Sequence, residues 1–343
     1  MKAAVIHENG GLDCVRIEEV PDPKPGEGEV ALKVRAAALN HLDIWVRKGR
    51  PGVALKPPHV LGSDASGVVA EIGPGVTNVK IGDKVVLNPG LSCGECTHCL
   101  SGEHSQCFSY GIIGMSRPGT FAEKVAVPAT SLYQKPEHLS FEEASFTLSY
   151  LTAWRMLMTR ARLIVGETVL IHGIGGGVAL AALQLAKLAG GEVIVTSSSD
   201  EKLQRAKELG ADYTINYIKT PDLADAAREI TSGRGVDIAF DTVGAATWPI
   251  DIEAVGRGGR IVLCGVTSGA KAETNLQAVY WNHITILGST MGSHGEFHQL
   301  MQTVNTTKLK PIIDSVYPLA DAKKAMARME ASEQFGKIVL QIP

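Results

Sequence analysis

The chain has 343 residues, of which 45% are hydrophobic and 20% charged, with a formal net charge of -3. That balance belongs to a soluble globular protein with room for two domains, and it gives no basic footprint for nucleic acid or an anionic membrane. The most apolar helical stretch is broken by Gln184 and Lys187 and is too short to span a bilayer, and the start Met1-Lys2-Ala3-Ala4-Val5-Ile6 has no long apolar signal region, so a cytoplasmic protein is expected.

Residues 1–130 alternate short apolar runs with Gly and Pro. The segments 30–34, 68–72 and 83–87 are candidate strands between Gly-Pro turns, which reads as an irregular, partly open β-barrel. Residues 131–291 change character. The β-branched run 168–171, bounded by Gly166 and Gly173, predicts a buried parallel strand, and a mostly apolar helix follows up to Gly190 and Gly191. Further strands are predicted at 192–196, 236–241, 259–264 and 284–288, with a helix between Asp200 and Gly210; repeated units of this length predict a doubly wound parallel sheet. The tail 292–343 carries a helix over 320–329 and an end strand over 337–340 that returns to the β-rich half.

The turn Gly173-Ile174-Gly175-Gly176-Gly177 joins the first strand of the sheet to its helix. Strand, glycine turn and helix present bare backbone N–H groups to a phosphate, because no Cβ blocks the approach. The G-x-G-x-x-G frame ends on Val178, whereas a frame on Gly173, Gly176 and Ala179 supplies a small third residue. An ordinary tight turn would share these residues; the strand-helix units that follow favour a pyrophosphate turn using Gly173, Gly176, Gly177 and Val178.

The run Leu61-Gly62-Ser63-Asp64-Ala65-Ser66-Gly67-Val68-Val69, then Gly73, Gly75-Val76, Gly82-Asp83-Lys84-Val85 and the ending Phe335-Gly336-Lys337-Ile338-Val339, resembles the medium-chain dehydrogenase/reductase superfamily across essentially the whole chain. The resemblance implies an α/β protein: a GroES-like catalytic domain (1–130 and 292–343) split around a Rossmann domain (131–291), with the nicotinamide of a bound cofactor in the cleft between them. It implies a small-molecule substrate and a homodimer or homotetramer in which the edge strand 284–288 pairs with its copy, while the charge balance leaves no nucleic-acid or membrane partner.

Four of the six cysteines, Cys93, Cys96, Cys99 and Cys107, follow the pattern C-x2-C-x2-C-x7-C. Four thiolates on one compact loop suit a tetrahedral Zn2+; disulfides are the competing reading in an oxidising compartment, and an iron–sulfur cluster is another, although no Pro follows the last Cys. With all four positions filled by protein the ion is structural. The lobe resembles the structural-zinc loop of zinc-containing alcohol dehydrogenases. Where those enzymes hold a second, catalytic zinc, this sequence has Asn40, Ser63 and Leu148. None is a strong zinc ligand, and in this the chain resembles the quinone oxidoreductase branch.

Without a Lewis acid, hydride addition to an activated acceptor is easier than oxidation of an alcohol: a quinone, an enone or enal, or an enoyl thioester delocalises the charge, and one or two hydrogen bonds hold it. Asn40 is the first candidate donor. His41 is the second, as donor or proton source, with a partly exposed helix-start His as its plain alternative; Asp43 orients its neighbours or caps the helix at 44–46. Tyr110 and Tyr150 are substitute proton donors. The loop 47–58 is expected to shape the pocket.

For the cofactor, the second strand of the sheet ends in Thr196-Ser197-Ser198-Ser199, with no carboxylate before Asp200. An acidic residue there would bind the ribose 2′-OH of NAD. Ser197, Ser198, Lys202 and Tyr217 resemble the 2′-phosphate site of NADPH-dependent quinone reductases, which favours NADP(H) over NAD(H); Ser199 or Asp200 acting only as a helix cap is the alternative. Thr152, Val243, Cys264 and Val266 are expected along the nicotinamide half. The leading expectation is thus an NADPH-dependent reductase of activated double bonds or quinones. The alternatives are a zinc-type alcohol dehydrogenase or carbonyl reductase that works without a metal or recruits one through His41, His59 and Asp64, and a non-catalytic NADPH-binding protein.

Overall fold

The computed structural model describes residues 1–49 and 55–343, so the loop 47–58 is covered except for 50–54, which lie outside the described residues. The chain divides into two compact units, Met1–Ser149 with Gly292–Pro343, and Tyr150–Met291. Residues 131–149, expected with the nucleotide domain, group with the first unit: the strand Leu132–Gln134 pairs antiparallel with Lys84–Leu87, and Thr147 and Leu148 both donate to Asp64.

The first unit is built on the ten-residue strand Glu29–Ala38. One edge pairs antiparallel with Ser66–Ile72, while the other is shared by Lys124–Pro128 near the start and Lys337–Gln341 near the end. Leu132–Gln134, Lys84–Leu87 and Ile313–Pro318 complete a seven-stranded sheet. Val30, Leu32 and Val34 are fully buried on the core face, while on the opposite face Lys33 is exposed and the small Ala31 is covered. Gly67 explains part of the motif in which it sits, since a Cβ there would lie 2.2 Å from the carbonyl oxygen of Lys33 on the neighbouring strand. The register Val339↔Ala38 matters most for the site, because it carries Lys337 alongside the end of the long strand, next to Leu39 and Asn40.

The second unit is a six-stranded sheet in the order Tyr213–Asn216, Glu192–Ser197, Thr168–Ile171, Val236–Asp241, Val255–Leu263, Thr285–Gly288, every pair parallel. Val169, Leu170, Ile171, Ile194, Ala239 and Ile261 are fully buried, as strands covered on both faces require. Leu170, Ile194, Ala239 and Ile261 pack against Leu223, Ala227 and Ile252 of the helices Leu223–Ile230 and Trp248–Ala254. The chain enters the sheet in the middle, at Thr168–Ile171, and builds outward first to one edge and then to the other. The strand order therefore reverses between Thr168–Ile171 and Val236–Asp241, which is where open parallel sheets bind nucleotides.

Candidate active site

In the first unit the helix His41–Lys48 begins at Asn40, whose backbone N–H donates to the Asp43 carboxylate at 2.7 Å. The Asn40 side chain is the centre of a buried polar cluster. Its Nδ2 donates to Asp64 at 3.0 Å and to the carbonyl of Ala38 at 3.3 Å, and its Oδ1 accepts from Lys337 Nζ at 2.7 Å. Those partners fix which way the amide points, since only oxygen can face the ammonium. Lys337 Nζ also donates to Asp64 at 3.0 Å and to the carbonyl of Leu39 at 2.9 Å, so its three protons meet three acceptors. The other oxygen of Asp64 accepts from the Leu148 N–H at 2.6 Å and from Thr147 Oγ1 at 2.9 Å. Asn40, Asp64, Thr147 and Lys337 are all buried.

Asp43, also buried, has its carboxyl pushed up to about 7 by burial against the opposing pull of the Asn40 N–H and the Lys337 charge. The native state thus holds a proton that the unfolded chain releases from about pH 4, so stability is full below that range and falls as pH rises towards 7. Urea unfolding of Asp43→Asn is expected to show a flatter dependence across pH 4 to 7 than the wild type; parallel curves would remove Asp43 as the source. His41 is exposed at the helix start, its ring edge-on to Trp45 at 5.9 Å between centroids; partial loss of water around the ring and then the Lys48 charge lower its pKa, so it is mostly neutral at pH 7. The Tyr150 hydroxyl donates to Gln184 Oε1.

These residues do not fit a second metal. Asn40, Ser63 and Leu148 offer no thiolate or imidazole, and a lysine ammonium is seated on the Asn40 oxygen. Nor do the fallback residues combine: His59 Nε2 is 2.9 Å from the Gly114 carbonyl oxygen, and Asp64 is saturated as described. Among the described residues the only group of three or more metal-ligating side chains is Cys93, Cys96, Cys99 and Cys107, whose sulfurs all lie within 4.8 Å of one another. The Sγ atoms of Cys93 and Cys99 are 3.9 Å apart, of Cys96 and Cys99 3.6 Å, and of Cys93 and Cys107 3.5 Å. A tetrahedron of Zn–S bonds requires about 3.8 Å, so the four fit a zinc ion. Backbone N–H groups already serve the sulfurs: Cys93 and Ser109 donate to Cys107, and Cys96 donates to Cys93. The neighbouring Cys99 N–H lowers the Cys96 thiol to about 6, towards the thiolate that a metal requires.

In the second unit the glycine turn is open. Gly173 and Gly175 have φ of +64° and +127°, and a Cβ placed on Gly176 would meet nothing within 4 Å. Gly176 caps the helix Gly177–Leu188 with no side chain over its N-terminus, and Val178 is half-buried at its first turn while Ala179 is buried against the sheet. The residues present fit the pyrophosphate of a dinucleotide. At the end of Glu192–Ser197, Ser197 is buried and Ser198 exposed, and Ser199 Oγ accepts the Lys202 N–H at 3.3 Å, capping the helix Asp200–Glu208. Asp200 pairs with Lys219 at 2.5 Å and with Asn216 Nδ2 at 2.7 Å, which offsets the negative charge at this corner; Tyr217 is exposed beside it in sequence. The Val243 N–H donates to Asp241 at 2.6 Å and the Cys264 N–H to the Asp241 carbonyl at 2.9 Å; Cys264 is half-buried and Val266 exposed. Thr152 is buried with its hydroxyl 3.7 Å from the Met291 sulfur.

Lys337 is the site residue that sequence reasoning missed. It lies 273 positions from Asp64, and only the register of the closing strand joins them. In the sequence it stands in the closing motif Phe335-Gly336-Lys337-Ile338-Val339, a lysine heading an apolar run, with nothing local to pair it with Asn40.

Residues 26–137 match the family model for an alcohol dehydrogenase GroES-like domain, and residues 177–306 match that for a zinc-binding dehydrogenase. A zinc-type alcohol dehydrogenase-like protein of Schizosaccharomyces pombe is 35% identical over 98% of both chains. The solved structure of an NAD-dependent alcohol dehydrogenase is 44% identical over 100% of both chains with a TM-score of 0.95. The crotonyl-CoA carboxylase/reductase AntE in complex with NADP is 25% identical, covering 99% of this chain and 94% of its own, with a TM-score of 0.91.

Proposed function

The chain belongs to the zinc-type alcohol dehydrogenase-like medium-chain dehydrogenase/reductase superfamily and is an oxidoreductase of that type, and on this premise we propose that it is an NADPH-dependent reductase of activated double bonds or quinones that works without a catalytic metal. One observation carries the reading: the Lys337 ammonium, held by Asp64, Asn40 and Leu39, stands on the side chain that replaces a metal-binding thiolate. The cofactor, when bound, supplies a hydride. The protein's own contribution is to hold the acceptor oxygen as negative charge spreads into the conjugated system.

Asn40 is the proposed donor. Of its two N–H bonds, the one to the Ala38 carbonyl is the longer at 3.3 Å, and it is the one the amide can exchange for a substrate oxygen while Asp64 and Lys337 keep the group in place. His41, neutral at pH 7, is the second donor, and Asp43 fixes the backbone turn that carries both. Cys93, Cys96, Cys99 and Cys107 hold one structural zinc.

NADP(H) is favoured by Ser197, Ser198, Lys202 and Tyr217, with Asp200 neutralised by Lys219. Lys202→Ala is expected to raise the dissociation constant for NADPH about tenfold, or about 1.4 kcal/mol, with NADH hardly affected. Equal effects on the two in a fluorescence titration would mean no contact with the 2′-phosphate. A second reading, an NAD-dependent alcohol dehydrogenase, is favoured by the name of the 44% identical structure. Steady-state oxidation of NADPH with 1,4-benzoquinone, an enone and crotonyl thioester separates the two: turnover with one of them supports the reductase, and turnover confined to an alcohol with NAD+ supports the dehydrogenase. A homo-oligomer joined at the edge strand Thr285–Gly288 completes the proposal, supported by exposed Ile286 on that edge and by exposed Leu276, Tyr280 and Trp281 on the preceding helix.

A further inference from the structure

The nucleotide unit has a buried polar cluster of its own. His172, the residue before Gly173, is 2% exposed, and its Nε2 lies 2.8 Å from Asp251 Oδ1, which is fully buried on the helix Trp248–Ala254. Its Nδ1 lies 3.4 Å from Thr196 Oγ1, and that hydroxyl accepts the Gly173 N–H at 3.3 Å. The second oxygen of Asp251 has no donor, and the charge of Asp241, also fully buried, acts on the same carboxyl. Asp241 in turn accepts the backbone N–H groups of Val243 at 2.6 Å and Gly244 at 3.1 Å, and the Thr247 hydroxyl at 3.0 Å. One chain of contacts thus runs from the glycine turn, through the end of the second strand, to the loop after the fourth.

Two buried carboxylates and one imidazole leave a place for a proton, on the Asp251 oxygen that has no donor. The charges acting on His172 are those of Asp251 and Asp241, and those acting on Asp251 are His172 and Asp241. Burial works against charge on His172, yet the Asp251 carboxylate beside it raises its pKa above the ordinary value; burial also pushes Asp251 up to about 6. With His172 protonated and both carboxylates ionised the cluster is net negative behind N–H groups that face a dianionic pyrophosphate, and one more proton cancels that charge. Between groups this deeply buried the difference is amplified.

We propose that His172, Asp251 and Asp241 are positioning residues for the nucleotide and that the His172–Asp251 pair takes up a proton when a pyrophosphate binds at the glycine turn. This rests on the reading of that turn as the cofactor site. The coupling is reciprocal: binding holds the proton more tightly, and loss of the proton at higher pH weakens binding.

Isothermal titration of the full chain with ADP-ribose tests it, because that ligand carries the pyrophosphate and no 2′-phosphate that would titrate near neutrality. Titrations at pH 6.5 in buffers of different ionisation enthalpy are expected to show uptake of a fraction of one proton per chain, with the dissociation constant rising about fivefold between pH 6 and 8. Asp251→Asn should still bind and should lose most of the uptake; His172→Gln serves if that variant does not fold. A merely structural cluster would change the melting temperature of the variants and leave the uptake alone. Binding without proton uptake in the wild type, or uptake unchanged in the variant, overturns the inference but keeps the nucleotide site. No binding of ADP-ribose overturns both.

Discussion

Replacing Lys337 with Met is expected to destabilise the first unit by about 3–5 kcal/mol, because the Asp64 carboxylate is then buried without its cation. The remaining donors to Asp64, from Asn40, Thr147 and the Leu148 backbone, stay in place but carry no charge. The melting temperature of that unit should fall by roughly 6–20 °C. Removing both charges, as in Lys337→Met combined with Asp64→Asn, should cost less than the sum of the single changes, since each single variant strands the other's charge. Additive losses in thermal unfolding would show that the two do not act as a pair. Activity should respond more sharply than stability. The ammonium fixes the plane of the Asn40 amide, and a donor that is free to rotate loses the orientation on which stabilisation of an oxyanion depends.

The second large effect concerns the cysteine lobe. Cys107→Ala is expected to reduce bound zinc from one per chain to nearly none and to destabilise the chain by at least about 3 kcal/mol, because three sulfurs no longer enclose the ion and the cross-link it makes is lost. The segment from Cys93 to Cys107 has only a four-residue helix, Thr97–Leu100, and a single 3-10 turn, His104–Gln106, so the proposed ion would be its main cross-link. Protease sensitivity should appear within this segment first. A variant that melts like the wild type and retains its zinc would remove the ion from the structural account.

Much of this was legible in the sequence because it depends on local pattern. The spacing of the four cysteines specifies the lobe, and the apolar run before Gly173 specifies the central strand and its helix. Gly67 sits where only hydrogen fits against the carbonyl of Lys33, so even that motif residue has a physical reason. What sequence could not supply was closure. Lys337 reaches Asn40 through strand pairing between chain segments almost 300 residues apart, and residues 131–149 join the first unit because Leu132–Gln134 finds its partner in Lys84–Leu87. The Asn40 amide is held on both sides, by Asp64 and by Lys337, so its orientation depends on partners distant in sequence. Ser199 is likewise taken up as the cap of the helix Asp200–Glu208, leaving Ser197, Ser198, Lys202 and Tyr217 for the phosphate proposed there.

The account stands on the claim that side chains, and no second metal, support reduction. Its most direct test is the zinc content of enzyme saturated with zinc, freed of loosely bound ion and assayed for NADPH-dependent reduction of a quinone or enone. One zinc per chain in fully active protein is the predicted result; two per chain, with turnover that falls as the second is withdrawn, would contradict it.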